Sequence, residues 1–211
     1  MNVLELFAGS RSVGVEAEKL GHNVFSIDWT DYDNIDLVID IEKLKVSDVP
    51  FIPDFIWASP DCTTYSLAAI SHHRNGTHPI SEYAKKSDNV NINVHNLIKE
   101  WLLINPNLKY YIENPRGMMG KMPFVKHTQV ATVWYCTYGD DRAKPTNIFS
   151  NNIKTLFNPN GWSPRAECFN GNTKCHHESA PRGARTGTQG IKGSYDRSKI
   201  PSELCIEILK S

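Results

Sequence analysis

Two side chains suited to covalent catalysis follow apolar runs of this sequence. Cys62 stands in the segment SPDC, just after the run 54–58, and Glu113 ends the run 110–113. A cysteine thiolate is an effective nucleophile, and a carboxyl group can exchange a proton or hydrogen-bond with a reacting molecule. A lone cysteine is more often a small buried apolar residue, but catalytic groups of an open α/β sheet lie beyond the carboxyl ends of its strands. The pair therefore predicts nucleophilic catalysis at one edge of a sheet.

The first sixty residues carry a second pattern, which is typical of an adenosine-containing cofactor. Gly9, in the turn after the first apolar run, lets a ligand approach the backbone, and the helix that follows attracts a carboxylate or phosphate. Asp28 ends the next run, where an acid can bind both hydroxyls of a ribose. Trp29 is placed to stack on an adenine, and Asp40 to bind its amino group. The turn is not the GxGxxG of dinucleotide binders, so the pattern favours S-adenosylmethionine; a plain turn with a solvated acid is the alternative.

These residues must be positioned by alternating strands and helices. Apolar runs and turn residues predict strands at 2–7, 23–28, 37–41, 54–58, 110–113, 131–136 and 146–149, of which the last two can be antiparallel. Helices are predicted at 13–20, at 88–105 with Asp88 as N-cap, and at 201–209, and the polar stretch 67–86 is predicted as a long loop. This order predicts one Rossmann-like α/β domain, a mostly parallel sheet with helices on both faces.

The composition is that of a soluble globular protein. The 211 residues are 40% hydrophobic and 22% charged, and no apolar run approaches the roughly 20 residues that span a membrane. The sequence opens directly on a strand rather than on a signal peptide, which favours the cytosol. The five cysteines are then expected to be free, catalytic or metal-bound rather than paired in disulfides.

The net charge of zero hides an uneven distribution. Residues 1–60 hold 4 Lys/Arg against 11 Asp/Glu, whereas residues 61–149 hold 10 against 7 and residues 150–211 hold 9 against 5. A basic remainder can bind a polyanion beside an acidic cofactor half, and chance unevenness of a solvated surface is the alternative. Aromatic residues stand among the basic ones after residue 160, which favours a surface that faces nucleic acid.

A group of soft metal ligands lies in and near the glycine-rich region 151–185. Cys168, Cys175 and His176 fall in this region, and Cys136 ends a nearby predicted strand. Cysteine and histidine are the ligands of structural zinc, which stabilises segments that have little apolar core. The group therefore predicts a zinc site; free thiols and histidines that contact solvent or phosphate are the alternative.

In combination these motifs resemble those of the C5-cytosine DNA methyltransferase family, and a short, phage-type member in particular. The resemblance is carried by LELFAGSRSVG at 4–14, Asp28 with Trp29, Asp40 with Ile41, SPDCTTYS at 59–66, IENP at 112–115, Arg142 with Lys144, and TGTQG at 186–190 with KIPSEL at 199–204. It covers most of residues 1–150 and the last thirty residues.

The resemblance implies transfer of a methyl group from S-adenosylmethionine to C5 of cytosine in DNA. It implies that Cys62 adds covalently to C6 of the base, that Glu113 hydrogen-bonds the ring, and that Arg142 holds the base or supports Glu113. A cytosine in a duplex would be flipped out of the stack. The implied cofactor residues are Phe7, Ala8, Gly9, Asp28, Trp29, Asp40, Ile41 and Pro60.

The resemblance also implies a division of the chain. Residues 1–150 form the catalytic and cofactor-binding core, 151–185 a small Cys/His insertion in place of a target-recognition domain, and 186–211 a segment that packs back on the core. The loop 67–86 would close over DNA, with His72, His73 and Arg74 near phosphate. The expected location is the cytoplasm of a bacterium or of a phage-infected host.

The sequence departs from the family pattern at points that keep other functions open. Asp61 replaces the second proline before the cysteine and can raise the thiol pKa, and Pro115 replaces a valine. Only about 35 residues fill the recognition interval. The alternatives are a related enzyme that acts on a free pyrimidine nucleotide or uses a modified S-adenosyl donor, a catalytically silent DNA-binding protein and, more distantly, an NAD-dependent oxidoreductase.

Overall fold

The computed structural model describes residues 1–178 and 193–211 of the chain. Its strands are β1 (Asn2–Leu6), β2 (Asn23–Asp28), β3 (Leu37–Val38), β4 (Phe55–Ala58), β5 (Arg74–Asn75), β6 (His78–Pro79), β7 (Lys109–Pro115), β8 (Gln129–Trp134) and β9 (Pro145–Ser150). Its α-helices are α1 (Ser12–Lys19), α2 (Ile70–His73), α3 (Glu82–Ile104), α4 (Ser194–Ser198) and α5 (Ser202–Leu209). Short 3₁₀ helices cover Ile41–Lys43, Val46–Asp48, Thr63–Tyr65, Met118–Lys121, Pro123–Val125 and Tyr135–Tyr138.

Seven strands form one sheet in the order β3-β2-β1-β4-β7-β9-β8. The first five of these run parallel, and β9 is antiparallel to both of its neighbours. This confirms the predicted, mostly parallel sheet. Parallel strands bring their carboxyl ends to one edge. Ala58 at the end of β4 pairs with Ile112 of β7, so Glu113 lies level with the turn that carries Cys62.

Helices cover both faces of the sheet, as predicted. Successive side chains of a strand point to opposite faces. Leu4 of β1 therefore packs in the core beneath α3, and Val3 in the core beneath α1 and α5. Cys205 is fully buried in the second core. Within the described residues, no helix combines the length and apolarity needed to cross a bilayer.

The predicted loop at 67–86 contains regular structure. It holds α2, the two-stranded ribbon β5–β6 and the start of α3. The N-cap of α3 is Ser81, whose hydroxyl accepts a hydrogen bond from Ala84 N at 3.1 Å. The predicted cap, Asp88, lies inside the helix and binds the Arg74 guanidinium instead. The polar residues of 67–86 favour a loop prediction because the sequence does not show which residues, distant along the chain, they bind.

The third strand is shorter than predicted. Only Leu37–Val38 pairs with β2, and the chain then enters the 3₁₀ helix Ile41–Lys43. Asp40 caps that helix, since its carboxylate accepts a hydrogen bond from Glu42 N at 3.1 Å. The acid therefore holds a fixed position at the edge of the sheet.

A buried carboxyl group supports the first turn. Glu5 of β1 accepts hydrogen bonds from Val13 N at 3.0 Å and from the Ser26 hydroxyl at 3.1 Å. A Cβ atom at position 14 would lie only 2.5 Å from Glu5 Oε2, so any residue larger than Gly14 would displace this carboxyl group. Burial raises the pKa of Glu5 from 4.5 to about 7, so this carboxyl group titrates near neutrality.

Glu5→Gln is expected to remove a pH dependence of stability. The native state holds the Glu5 proton up to pH about 7 and the unfolded chain releases it near 4.5, so the free energy of unfolding falls as pH rises between these values. The shift corresponds to about 3 kcal/mol. Urea unfolding of both proteins from pH 4.5 to 7.5 measures it: the wild type should lose this amount relative to the variant. Parallel curves would contradict the assignment.

Candidate active site

A cleft of about 390 Å³ opens at the carboxyl ends of β1, β2 and β4. Seven of the eight predicted cofactor residues line it: Phe7, Gly9, Asp28, Trp29, Asp40, Ile41 and Pro60. The eighth, Ala8, lines a smaller neighbouring pocket. The cleft also contains residues that local patterns did not single out, among them Tyr32, Tyr83, Lys86, Tyr195 and Ser198.

Asp28 joins the glycine turn to the end of β2. One carboxylate oxygen accepts a hydrogen bond from Gly9 N at 3.0 Å, and the other accepts one from Thr30 N at 2.9 Å. Burial raises the pKa of this carboxyl group. Each carboxylate oxygen has a second lone pair, so Asp28 can accept further hydrogen bonds from hydroxyl groups of a ligand.

The rest of the cleft lining combines charged and aromatic side chains. Lys86 of α3 binds Asp40 at 2.8 Å, and its ammonium group lowers the pKa of that carboxyl. Trp29 is 63% exposed although it borders the cleft, so its ring is free to stack on a planar ligand. Tyr195 contacts Tyr32 with ring centroids 5.5 Å apart. Tyr195 and Ser198 of the C-terminal segment line the cleft; residues 186–190, which the resemblance also placed near the cofactor, lie outside the described residues.

Cys62 lies in the turn between β4 and the 3₁₀ helix Thr63–Tyr65. Its carbonyl oxygen accepts hydrogen bonds from Tyr65 N at 3.0 Å and Ser66 N at 2.9 Å. The turn is held to β7 because Asn114 Nδ2 donates to the Pro60 carbonyl at 3.0 Å. The backbone around the thiol is therefore fixed from both sides.

The thiol of Cys62 is protonated at neutral pH. Burial raises its pKa to about 11; the nearby Asp61 and Glu113 carboxylates add to the rise, and the Lys144 ammonium opposes it. Asp61, which stands where the family has a second proline, thus raises the pKa of the Cys62 thiol, as predicted. Asp61 itself accepts hydrogen bonds from the Tyr83 hydroxyl at 2.6 Å and the Thr63 hydroxyl at 2.8 Å.

Glu113 is buried on β7 with two polar neighbours. Its Oε1 atom accepts a hydrogen bond from the Tyr135 hydroxyl at 2.9 Å and lies 3.6 Å from Lys144 Nζ. The ammonium group also stands 4.6 Å above the Tyr135 ring. Cys62, Glu113 and Lys144 thus form one electrostatically connected group beside the cleft.

Arg142 is buried near Tyr135, and its implied role of holding the base or supporting Glu113 stays a prediction. Its guanidinium pairs with Asp140 and donates to the carbonyls of Arg197 at 3.1 Å and Lys199 at 3.0 Å. Lys144, two residues later, is the cation in contact with Glu113. Lys144 makes this contact directly, whereas the Arg142 guanidinium lies 5.5 Å from the centroid of the Tyr135 ring, whose hydroxyl donates to Glu113.

Arg74 corrects the expectation for the polar stretch. The side chain is fully buried and forms two hydrogen bonds with Asp88, at 2.6 and 2.9 Å. It also donates to the Thr64 carbonyl at 2.8 Å, two residues beyond Cys62. Arg74 therefore supports the turn that carries Cys62 from inside and does not present its charge to phosphate.

The predicted metal ligands converge, with one change. The thiols of Cys136, Cys168 and Cys175 meet the ring of His177, not that of His176. His176 is exposed, and its Nε2 lies 3.1 Å from the Asp140 carbonyl oxygen. Neighbouring residues in a bend face opposite sides, which local sequence does not reveal. The four converging side chains are called the Cys3His cluster below.

Comparisons with known proteins identify the fold. No protein-family model matches the sequence, and no curated protein matches it. The structure is similar to that of the Entamoeba histolytica methyltransferase EhMeth, with a TM-score of 0.54, 14% sequence identity and coverage of 80% of this chain and 57% of that chain. It is also similar to a mutant of Spodoptera frugiperda DNMT2, with a TM-score of 0.52, 15% identity and coverage of 78% and 55%.

This chain therefore has the Rossmann-like fold of methyltransferases. It spans little more than half the length of the two structures that it matches. The similarity is one of fold; the chemistry must be argued from the cleft and from the residues beside it.

Proposed function

We propose that this protein transfers a methyl group from S-adenosylmethionine to C5 of cytosine in DNA through a covalent adduct of Cys62. The observation that carries the proposal is the placement of Cys62 beside Glu113, at the ends of adjacent strands and next to the cleft that holds Asp28 and Asp40. The proposed nucleophile, the carboxyl group and the cofactor cleft thus lie at one edge of the sheet, and this sheet belongs to a methyltransferase fold.

The cleft suits an adenosine ligand in size and in chemistry. Its volume of about 390 Å³ lies within the range of about 300–1,000 Å³ that small-molecule sites occupy. We assign the ribose hydroxyls to Asp28, the adenine face to Trp29 and the adenine amino group to Asp40. The backbone at Gly9 and the start of α1 would meet the amino-acid carboxylate. When bound, S-adenosylmethionine supplies an electrophilic methyl group.

The residues beside the cleft have complementary roles in this proposal. The Cys62 thiol would lose its proton to a base and its sulfur would bond to C6 of cytosine, which makes C5 nucleophilic. Glu113 would hydrogen-bond N3 and the exocyclic amine as electrons move into the ring. Lys144 lowers the cost of thiolate formation, since its charge opposes the rise in the Cys62 pKa. C5 would then take the methyl group, with S-adenosylhomocysteine as the leaving product, and loss of the C5 proton to a base would break the S–C6 bond and return the electron pair to sulfur.

The charge distribution supports DNA as the substrate. Residues 61–149 and 150–211 each carry a net positive charge, whereas residues 1–60 carry seven more acidic than basic residues. We assign 1–150 to catalysis, 151–185 to a minimal recognition insertion and 186–211 to a segment that completes the cleft. Such an enzyme would act in the cytoplasm of a bacterium or of a phage-infected host.

The small recognition interval favours a second candidate. Only about 35 residues separate the Arg142 region from the C-terminal segment, and a smaller substrate needs less recognition surface. A related enzyme would methylate a free pyrimidine nucleotide, or transfer another group from a modified S-adenosyl donor. Its activity on monomers without DNA distinguishes it from the first candidate.

The test is mass spectrometry of nucleosides from cells that express the wild type or Cys62→Ala. The proposal requires 5-methylcytosine in cellular DNA with the wild type alone. The variant should keep its circular dichroism and its calorimetric affinity for S-adenosylmethionine, which shows that only the nucleophile is lost. A different cytosine mass would indicate another donor. Unmodified DNA in both cultures would overturn the proposal and move attention to free nucleotides and to simple DNA binding.

A further inference from the structure

The Cys3His cluster joins two separate parts of the chain. Cys136 belongs to the 3₁₀ helix after β8, and the other three side chains come from the stretch 168–177. Their four ligand atoms all lie within 4.8 Å of one another, and three of the four residues are buried. All three cysteines are free thiols. None of these four side chains takes part in the mechanism proposed above.

The spacing of the donors matches that of ligands around one metal ion. Cys168 Sγ lies 3.7 Å from His177 Nδ1. Tetrahedral zinc, with Zn–S of about 2.3 Å and Zn–N of about 2.0–2.1 Å, places sulfur and nitrogen ligands about 3.6 Å apart and two sulfurs about 3.8 Å apart. The observed pair already has this separation. The widest pair needs a contraction of about 1 Å, which side-chain rotation can supply.

The donor set selects the kind of metal. Three thiolates and one imidazole form a closed, four-coordinate set that suits structural zinc, whereas magnesium and calcium prefer oxygen ligands. Asn172 Nδ2 donates to Cys168 Sγ at 3.4 Å, the type of outer contact that orients a ligating sulfur. Trp134 and Ala143 pack around the thiols and shield them from water.

The stretch 168–178 has little apolar core of its own, although Ile153 and Trp162 of the preceding residues pack in the second core. Leu156 is 89% exposed, Phe157 94% and Phe169 61%, and no α-helix lies between β9 and residue 178. The end of this stretch is nevertheless tied to the region of Arg142, because Glu178 N donates to the Asp141 carbonyl at 2.9 Å. A bound metal would supply the cohesion that apolar burial does not.

We propose that the Cys3His cluster binds one structural zinc ion, which fastens the stretch 168–178 to the loop after β8. The site takes no part in methyl transfer and does not depend on the function proposed above. It involves no redox step: the thiols lose protons and the sulfurs coordinate the ion. Its immediate consequence is a fixed position for Asp140, Asp141 and Arg142.

Adjacent histidines provide a matched test. Wild type, His177→Ala and His176→Ala are purified without added metal or chelator, and zinc is counted by inductively coupled plasma mass spectrometry. We expect about one zinc per chain in the wild type and in His176→Ala, and its loss from His177→Ala. The fall in zinc affinity should exceed the roughly 10- to 100-fold that follows removal of an outer-shell partner. His177→Cys should retain zinc, which guards against a variant that only misfolds.

Two further measurements do not depend on enzyme activity. Cobalt substitution should give the visible absorption of a tetrahedral thiolate site, with a different envelope in His177→Cys. A strong chelator should lower the melting temperature of wild type and His176→Ala but leave His177→Ala unchanged. Absence of zinc and of cobalt binding in the reduced wild type overturns the proposal, as does equal zinc content in both alanine variants or a stable disulfide among the three thiols.

Discussion

Substitution of Glu113 by glutamine is expected to lower the rate of the proposed cytosine methylation by about 10²- to 10⁴-fold, the contribution typical of a side chain that shares a proton in the transition state. The amide has the size of the carboxyl group, and its oxygen can still accept the hydrogen bond of the Tyr135 hydroxyl. It cannot carry the charge that Lys144 faces, nor take and return a proton. Single-turnover transfer of a radiolabelled methyl group measures the effect.

A matched control separates this loss from a change in folding. Glu82→Gln makes the same chemical change on an exposed acid of α3, and its methylation rate should stay near that of the wild type. Calorimetry should show equal affinity of Glu113→Gln and wild type for S-adenosylmethionine, since Glu113 does not line the cleft. A Glu113→Gln rate within about threefold of the wild type would remove the assigned role.

Arg74→Met is expected to destabilise the protein by about 3–5 kcal/mol, because it leaves the Asp88 carboxylate largely buried without its cation. The Asp88 side chain is only 14% exposed. The substitution also removes the hydrogen bond to the Thr64 carbonyl and the contact of the guanidinium with the Tyr65 ring, at 4.3 Å. Urea unfolding followed by tryptophan fluorescence measures the free energy.

A double-mutant cycle tests the physical reason. Asp88→Asn keeps an acceptor for the Tyr65 hydroxyl, which donates to Asp88 at 2.8 Å. Adding it to Arg74→Met should recover part of the lost stability, since no lone charge remains buried. Lys85→Met breaks an exposed pair with Glu82 and should cost less than about 1 kcal/mol. Equal losses for Arg74→Met and Lys85→Met would refute the explanation.

The strand-end residues of the site could be predicted from sequence. Asp28 and Glu113 follow short apolar runs, and parallel strands carry the ends of such runs to a common edge. Of the seven predicted cofactor residues that line one cleft, Gly9, Asp28, Trp29 and Asp40 were within reach of a local pattern, whereas Phe7, Ile41 and Pro60 rested on the resemblance. Their contacts with a ligand remain predictions.

Other features depend on contacts that no local pattern encodes. The start of α3 was placed too late because Asp88 resembles a cap, whereas its partner Arg74 comes from the ribbon β5–β6. His176 and His177 have the same local surroundings in sequence, and only the course of the bend decides which ring faces the thiols. Likewise, Arg142 and Lys144 stand two residues apart, and only the folded structure shows that Arg142 pairs with Asp140 whereas Lys144 faces Glu113.

Segments far apart in sequence complete both the cleft and one face of the sheet. Ile200 N donates to the Ser12 hydroxyl at 3.2 Å across 188 residues, Tyr195 and Ser198 line the cleft, and α5 packs on α1. A nascent chain therefore makes the turn that carries Cys62 early but lacks these partners until residues 195–209 emerge from the ribosome. Interrupted synthesis leaves an uncovered apolar face and an open cleft. A chain that ends before residue 195 thus lacks both the C-terminal lining of the cleft and the helix that covers α1.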